Sequence, residues 1–448
     1  MTGTHEPKDA APLFRGTLTE DADALTQSVQ RGETLLGRLP TKPRRDAAQQ
    51  RAATDVLTLC NRLRTQFLTA HAGSVYDAVT ESRTRSLRLT ELLFTVSEVF
   101  PGLVPDRAHM AAEGKRPQAD KDGLEIAQGI FLRAVLNDEL AGRHLMNVML
   151  QPTQRATALR EQFTRGDRVE LETVVVERRG AAAHVTLHNL QCLNAEDNRL
   201  VDDLETAIDL VLLDDRIRVG VLRGGVMTHP RYRGRRVFSA GINLAALDSG
   251  EISFLEFLMR RELACIGKIV WGLTTAEQED PVGYVLPAHK PWAAAVDSFA
   301  IGGGMQLLLV FDWVIAASDT YFSLPAAQEG IVPGAANLRL TRFTGSRLAR
   351  RLILGGRRIR ALDREAALVC DEVVEPEEVD AAVERAADAL DNPAVVANRH
   401  MLNHAEESPE AFRRYLAEFA FIQSHRLYDM DVLDKLRRTW STSRRVGA

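Results

Sequence analysis

The chain has 448 residues, of which 45% are hydrophobic and 26% charged, as in an ordinary globular protein with room for two or three domains. Its net charge of -5 argues against nucleic acid or an anionic membrane as the main partner. The four cysteines form no CxxC pair, and the first residues, MTGTHEPKDAAPLFRG, lack a signal-peptide layout. We therefore expect a cytoplasmic protein with free thiols and with neither a nucleic-acid nor a membrane partner.

Residues 1–167 have a helical pattern. In segments 45–79 and 123–150, apolar residues recur at helical spacing and β-branched residues do not cluster. A segment rich in proline and glycine, 100–123, separates the two and is typical of a loop. The pattern predicts an all-helical N-terminal region.

Strand and helix patterns alternate in residues 168–390. VELETVVVE and AAAHVTLH predict a hairpin, and NRLVDDLETAIDLVLLDD predicts a helix with Asn194 as a candidate N-cap. IRVGVLRG and PWAAAVDSFA each predict one buried strand. The second is followed by three glycines, an apolar helix and one more strand in WVIAASDTYFSLP. The alternation predicts an α/β domain, and helical patterns return in residues 391–448.

Two turns of small residues each follow a strand-like segment and precede a helix. One is Ser239–Ala240–Gly241, and the other is the triple glycine at 302–304. Neither fits the dinucleotide-binding or P-loop patterns. Each turn can supply one backbone N–H, and two converging N–H groups form an oxyanion hole. The alternative is that the glycines only permit close packing of helix against sheet.

Three motifs in this order resemble the crotonases, the enoyl-CoA hydratase/isomerase superfamily: LNAEDNRL at 193–200, FSAGINL at 238–244 and AIGGGMQLLLVFDWVIAASDTYFSLPAAQEGIVPGAA at 300–336. The resemblance implies an α/β fold with a crotonase core, a spiral of ββα units, at 168–390. The all-helical N-terminal region at 1–167 and a helical C-terminal tail at 391–448, used in trimerisation and as an active-site cover, flank that core. It further implies a homotrimer or hexamer that binds an acyl-CoA thioester.

The resemblance also implies which groups act on the thioester. The oxyanion donors are the N–H groups of Ile242 and Gly303. Hydratases of this family carry two catalytic glutamates, but this sequence has Gln306 and Ala326 at those positions. Water addition to a double bond is therefore not expected, although the means of stabilising an enolate is retained.

Two charged residues are assigned to the acyl end of the substrate by the same resemblance. Glu196 and Arg261 are these candidates, and Gln306 is a neutral hydrogen-bonding group beside them. With Ile242 and Gly303 these three are the predicted catalytic residues, and Glu196 either binds a ring hydroxyl or acts as a base. Simpler interpretations are that Glu196 favours a helix dipole and that Arg261 is a solvated helix charge. The predicted substrate-binding residues are His229, Arg231, Tyr232, Arg233, Ala240, Gly241, Asn243, Leu244, Ile331 and Gly334. The first four belong to the basic run HPRYRGRR, interpreted either as a contact for CoA phosphates or as a solvated loop.

We expect neither a metal nor an organic cofactor. The pairs His400/His404 and His184/His188 lack the carboxylate that a metal motif would add, and flavin and nicotinamide fingerprints are missing. The whole-chain pattern resembles a branch of the family that oxygenates an arylacetyl-CoA in antibiotic biosynthesis. That resemblance implies a cofactor-independent dioxygenase with O₂ as co-substrate. A thioesterase, a decarboxylase and a non-catalytic CoA-thioester-binding protein are the alternatives.

Overall fold

The structure is a computed structural model that describes residues 14–274, 288–433 and 435. The helical prediction for the N-terminal region is confirmed. Its helices are α1, Leu18–Gly37; α2, Ala47–Val79; α3, Leu89–Val99; α4, Arg107–Gly114; α5, Glu125–Asn137; α6, Glu139–Met149; and α7, Gln154–Gly166. The first two begin at capping boxes, formed by Thr17 with Glu20 and by Asp46 with Gln49.

The strands begin immediately after α7. They are β1, Arg168–Glu170; β2, Val174–Arg179; β3, Ala182–Leu187; β4, Val219–Gly224; β5, Trp292–Val296; β6, Phe299–Ile301; β7, Trp313–Ala317; β8, Tyr321–Ser323; β9, Arg358–Arg360; and β10, Glu372–Val374. Seven of them form one sheet in the order β1-β2-β3-β4-β5-β7-β10, which is parallel from β3 onward. Strands β6, β8 and β9 form a second, smaller sheet. The predicted hairpin is β2–β3.

The remaining helices connect these strands and form the C-terminal region. They are α8, Asn198–Leu213; α9, Leu244–Asp248; α10, Gly267–Trp271; α11, Gly303–Leu308; α12, Ala326–Glu329; α13, Ala336–Ile353; α14, Val379–Leu390; α15, Pro393–Glu406; and α16, Pro409–Arg426. Two π-helical segments, Phe254–Met259 and Arg261–Ile266, run directly into α10. The last part of the predicted tail, 436–448, lies outside the described residues.

The structure corrects three local predictions. PWAAAVDSFA is two strands in different sheets, because the chain turns between them at Ser298, where φ is 62°. The apolar helix after the glycines has only 6 residues, since the chain then enters β7. Asn194 does not cap α8, which instead begins at the N-cap Asp197. Asn194 has a φ of 53°, and its side chain donates to the carbonyl of Val237 at 2.7 Å.

A single hydrophobic cluster joins the three regions of the chain. It includes Phe67 of α2, Phe131 of α5, Val176 of β2, Phe322 of β8 and Phe412 of α16. Helix α16 packs against α5, so the C-terminal helices close over the N-terminal ones. Residues far apart in sequence therefore share one core next to the site described below. Within the described ranges, no helix is long and apolar enough to cross a membrane.

A buried charge cluster connects α8 to the π-helical segments. Lys268 is fully buried and donates to Glu205 Oε1 and Asp209 Oδ1, each at 2.6 Å. Arg88 and Arg260 also pair with Glu205. Burial alone would raise the pKa of Glu205, but the three surrounding cations outweigh it and lower that pKa to about 2. The buried cations and carboxylates of this cluster therefore stabilise one another in their charged forms.

Candidate active site

In the first small-residue turn, the backbone N–H of Ile242 makes no hydrogen bond within the described part of the chain, although the residues on either side of it are hydrogen-bonded to Glu196. Gly241 has a φ of 84°, and its N–H donates to Ser239 Oγ at 3.1 Å. On either side of Ile242, the Glu196 N–H donates to the Gly241 carbonyl at 2.7 Å and the Asn243 N–H donates to the Glu196 carbonyl at 2.8 Å. Because successive peptide groups of an extended chain point to opposite sides, the Ile242 N–H points away from the Glu196 backbone. Among the described residues it has no acceptor.

In the second turn, the backbone N–H of Gly303 is also without an acceptor among the described residues. Gly302 adopts a φ of 53° and donates its N–H to the Ser323 carbonyl at 2.8 Å. Gly303 is the first residue of α11, so its N–H has no partner within the helix. A Cβ at Gly302 would lie 3.5 Å from Gly241 Cα, which shows that the two turns are in contact. The two unpaired N–H groups are therefore on adjoining turns.

A buried ion pair lies beside the second turn. Arg261, in a π-helical segment, is 5% exposed, and its Nε donates to Glu196 Oε2 at 2.5 Å. Its other nitrogens donate to the Gly303 carbonyl at 2.7 Å, Glu262 Oε1 at 2.9 Å and Gln306 Oε1 at 3.1 Å. Burial alone would lower the pKa of Arg261, but the charges of Glu196 and Glu262 outweigh it and raise that pKa.

The simpler interpretations of these two charged residues are therefore wrong. Arg261 is buried rather than solvated, and Glu196 precedes the N-cap of α8, so it is not in the first turn of that helix. Glu196 is itself only 4% exposed. The structure brings four of the five predicted catalytic residues into direct contact, and the fifth, Ile242, is paired with Glu196 through the backbone.

A small cavity of about 40 Å³ lies against both turns. Apolar side chains supply much of its wall, and helix α16 contributes Phe419. The same helix fixes the opposite wall, since Tyr415 donates to the Gly334 carbonyl at 2.6 Å and Gln423 accepts the Val332 N–H at 2.8 Å. The lining residues are Glu196, Ile242, Phe257, Leu258, Arg261, Glu262, Gly302, Gly303, Gln306, Leu324, Ala326, Glu329, Ile331, Val332, Pro333, Gly334 and Phe419.

The cavity contains a carboxylate that the sequence analysis missed. Glu329 is the last residue of the short helix α12, which begins at Ala326. Burial raises the pKa of Glu329 to about 7. A Pro-x-x-x-Glu spacing, which puts a glutamate one helical turn after the hydratase position, was the signal available in the sequence.

The basic run forms an exposed loop that packs against the small sheet. The Tyr232 and Phe299 rings lie 5.4 Å apart, and the Arg231 guanidinium lies 5.6 Å from the Tyr232 ring. Tyr232 and Ala240 belong to one small apolar cluster, which links the loop to the first turn. Arg235 pairs with Asp319. Arg231 and Arg233 are the exposed arginines of the run that are available to a ligand.

Some predicted substrate-binding residues lie beside the cavity rather than in its wall. Asn243 is the N-cap of α9 and accepts the Ala246 N–H, and Leu244 packs against the main core. Ile331 and Gly334 do line the cavity. Glycine at 334 leaves room for Glu262, because a Cβ there would lie 2.1 Å from Glu262 Oε1.

The histidine pairs are placed away from the cavity. His184 lies in β3 with its Nε2 4.0 Å from Glu384, and the His400 ring stacks on His289 at 5.4 Å. Over the described ranges, no group of three or more His, Cys, Asp or Glu side chains has the arrangement of a metal site. All four cysteines are free thiols, as expected.

Comparison with known proteins agrees with this geometry. The family described as enoyl-CoA hydratase/isomerase matches residues 272–422. A (3,5-dihydroxyphenyl)acetyl-CoA 1,2-dioxygenase of Amycolatopsis orientalis is 56% identical over 416 residues, which cover 93% of this chain and 95% of that protein. The chain belongs to the enoyl-CoA hydratase/isomerase family. The resemblance inferred from the three sequence motifs is confirmed, and so is the crotonase fold.

Other relatives are more distant and shorter than this chain. A probable enoyl-CoA hydratase of Rhizobium meliloti (strain 1021) is 30% identical over 241 residues, covering 53% of this chain and 83% of that protein. A crystal structure of an enoyl-CoA hydratase from Bacillus halodurans is 22% identical, covers 60% of this chain and 100% of its own, and superposes with a TM-score of 0.49.

Proposed function

We propose that this protein is a (3,5-dihydroxyphenyl)acetyl-CoA 1,2-dioxygenase, an oxidoreductase that converts the arylacetyl-CoA and O₂ into (3,5-dihydroxyphenyl)glyoxylate and CoA. The observation that carries the proposal is the 56% identity over 93% of the chain, an extent that includes the N-terminal helical region as well as the family core. The site supports it, because Gln306 and Ala326 replace the acid–base glutamates of a hydratase while both oxyanion turns are retained.

The first chemical requirement is an enolate. The α-carbon of the substrate lies between a thioester and an aryl ring, so its proton is unusually acidic. When that proton leaves, negative charge develops on the thioester oxygen. The N–H groups of Ile242 and Gly303 are the proposed donors to this oxygen, and each such donor contributes about 3 kcal/mol to the transition state.

The second requirement is a reaction of the enolate with O₂. We propose that it needs no metal or organic cofactor, because an enolate conjugated to a dihydroxyphenyl ring is electron-rich enough to pass an electron to O₂. Recombination forms a peroxide at the α-carbon. Attack of that peroxide on the thioester carbonyl expels CoA, and cleavage of the O–O bond with loss of the second α-proton leaves the keto acid. The substrate and O₂ together contain all atoms of the two products, so no external reductant is required.

Side chains of the cavity and of the basic run are proposed to bind the two ends of this substrate. Arg261, Glu196 and Gln306 provide charged and neutral hydrogen-bonding groups, suited to ring hydroxyls, among the apolar side chains of the wall. Apolar surroundings suit O₂ and protect the carbanion from water. At the other end, Arg231 and Arg233 are proposed to contact the CoA phosphates. The proposed setting is the cytoplasm, as a homotrimer or hexamer in the biosynthesis of an antibiotic building block, dihydroxyphenylglycine.

An oxygen electrode and a thiol assay together test this function. The full-length protein is incubated with (3,5-dihydroxyphenyl)acetyl-CoA in air, and O₂ uptake and free CoA are measured in the same sample. The proposal predicts equal amounts of O₂ consumed and CoA released. Release of CoA without O₂ uptake would identify a thioesterase, and CO₂ release without O₂ uptake would identify a decarboxylase. Binding without any turnover would identify a non-catalytic CoA-thioester-binding protein.

A further inference from the structure

Glu329 lies next to the position that a hydratase uses for acid–base chemistry. Ala326, at that position, is the first residue of α12, and Glu329 is the last. Residues three apart on a helix share one face, and their Cα–Cβ bonds tilt toward the N-terminus. The Glu329 side chain is therefore directed toward the space above Ala326. Both residues line the cavity, together with Ile242 and Gly303.

The other carboxylates of the cavity are already engaged. Glu196 accepts from two nitrogens of Arg261, while Glu262 accepts from Arg261 and from the Ala335 N–H. Glu329 differs from both, because within the described ranges its carboxylate takes part in no hydrogen bond or ion pair. Its oxygen lone pairs are thus available to a proton of the substrate.

We propose that Glu329 is the general base that removes the α-proton of the arylacetyl-CoA, an assignment that rests on the proposed function. In this step the α-C–H bond breaks and an O–H bond forms on Glu329. The electron pair of the C–H bond moves to the thioester oxygen, which the Ile242 and Gly303 N–H groups hold. The proton on Glu329 then has an acceptor in the CoA thiolate that leaves later in the reaction.

The surroundings of Glu329 suit this role at neutral pH. Burial raises its pKa to about 7, close to the value at which a general base is most effective. The charged groups that face it come from two sides. Across the cavity, Arg261 is balanced by Glu196 and Glu262. Behind α12, Arg426 donates to the Gly330 carbonyl and Lys435 to the Ala327 carbonyl, and both pair with Asp431.

The test compares Glu329→Gln with the wild-type protein, using O₂ uptake with (3,5-dihydroxyphenyl)acetyl-CoA. Glutamine keeps the size of the side chain but does not accept the proton, so kcat is expected to fall about 100-fold or more. KM is expected to change little, and α-dideuterated substrate is expected to show a larger isotope effect than with wild type. For wild type, kcat/KM should rise with pH through about 7, as Glu329 loses its proton. The variant should lack this rise, and Glu329→Asp should recover part of the rate.

The control variant is Glu377→Gln, the same change at an exposed glutamate outside the cavity, which should behave like wild type. The assignment is overturned if Glu329→Gln keeps kcat within about twofold of wild type or keeps the rise with pH. It is also overturned if the variant loses substrate affinity in proportion to kcat, since that pattern indicates a structural role. Failure of the proposed function looks different, because the wild-type protein itself would then take up no O₂.

Discussion

The carboxylate of Glu196 occupies the space in which a side chain at Gly303 would begin. A Cβ at Gly303 would lie 2.4 Å from Glu196 Oε1, closer than such atoms approach in proteins. Arg261 holds that carboxylate in place, and the backbone of Glu196 is bonded to the turn before Ile242. Position 303 therefore requires glycine, because the Glu196 side chain packs directly against the Gly303 backbone. This requirement is additional to the position of Gly303 at the start of α11.

Gly303→Ala should abolish most activity while leaving the fold intact. The added methyl group displaces Glu196 or the turn, which misplaces one oxyanion donor, so kcat for O₂ uptake should fall at least about 100-fold. The control is Gly166→Ala, because a Cβ at that exposed helix end meets nothing within 4 Å. Steady-state kinetics and thermal unfolding check both variants. Gly303→Ala with wild-type kcat would show that the Gly303 N–H does not act on the substrate.

Gln306→Glu should lower oxygenation and favour simple exchange of the α-proton. The new carboxylate lies beside Arg261 Nη1, now 3.1 Å from Gln306 Oε1. It adds a second group that can take up the α-proton and return it to the enolate before O₂ reacts. We expect about a tenfold lower rate of O₂ uptake and a higher ratio of deuterium exchange to oxygenation in D₂O. The matched control is Gln162→Glu, at an exposed glutamine on α7. Full oxygenase activity in Gln306→Glu would show that oxygenation does not require a neutral side chain at position 306.

Arg231→Ala and Arg233→Ala should weaken binding of the CoA portion. Each exposed guanidinium that contacts a phosphate contributes a charge-assisted hydrogen bond, so KM should rise about threefold to tenfold with little change in kcat. A truncated thioester of the same acyl group, without the nucleotide, should show no such effect. The control is Arg165→Ala, an exposed arginine paired with Glu161 on α7. An unchanged KM in both variants would contradict a contact with CoA and would favour the interpretation of the basic run as a solvated loop.

Lys268→Met should destabilise the protein strongly. It leaves Glu205 and Asp209 buried without the cation between them, and loss of one partner of such a cluster costs about 3–5 kcal/mol in free energy of unfolding. Lys115→Met, at an exposed position, should change that free energy by less than about 0.5 kcal/mol. Denaturant unfolding followed by circular dichroism measures both. Equal stability of the two variants would contradict the idea that Lys268 compensates the buried carboxylates.

The sequence predicted the parts of the site that short motifs specify. Ile242 and Gly303 lie in turns of small residues, and the order of the motifs along the chain identifies the fold that brings these turns together. The α/β alternation was recognisable because each strand is apolar and bounded by turn residues. The break at Ser298 was missed, since nothing in an apolar run shows where a non-glycine residue will adopt a positive φ.

Ion pairs between residues far apart in the chain could not be predicted from local sequence patterns. The contacts that Lys268 makes with α8 depend on tertiary packing, as does the pairing of Arg235 with Asp319. Glu329 was missed for another reason. The family motif points to the residue where hydratases carry their acid, here Ala326, whereas a helix also places the residue three positions later on the same face.

A single turnover with ¹⁸O₂ in the presence of a metal chelator tests directly whether the protein is a cofactor-independent dioxygenase. The keto acid is reduced with borohydride at the end of the reaction, so that its ketone oxygen does not exchange with water. The mass of the reduced product is then measured by mass spectrometry. The cofactor-free dioxygenase mechanism predicts undiminished turnover and two ¹⁸O atoms in each product molecule, one at the former α-carbon and one in the carboxylate. Product with fewer than two ¹⁸O atoms, or turnover that stops with the chelator and returns with added metal, would contradict it.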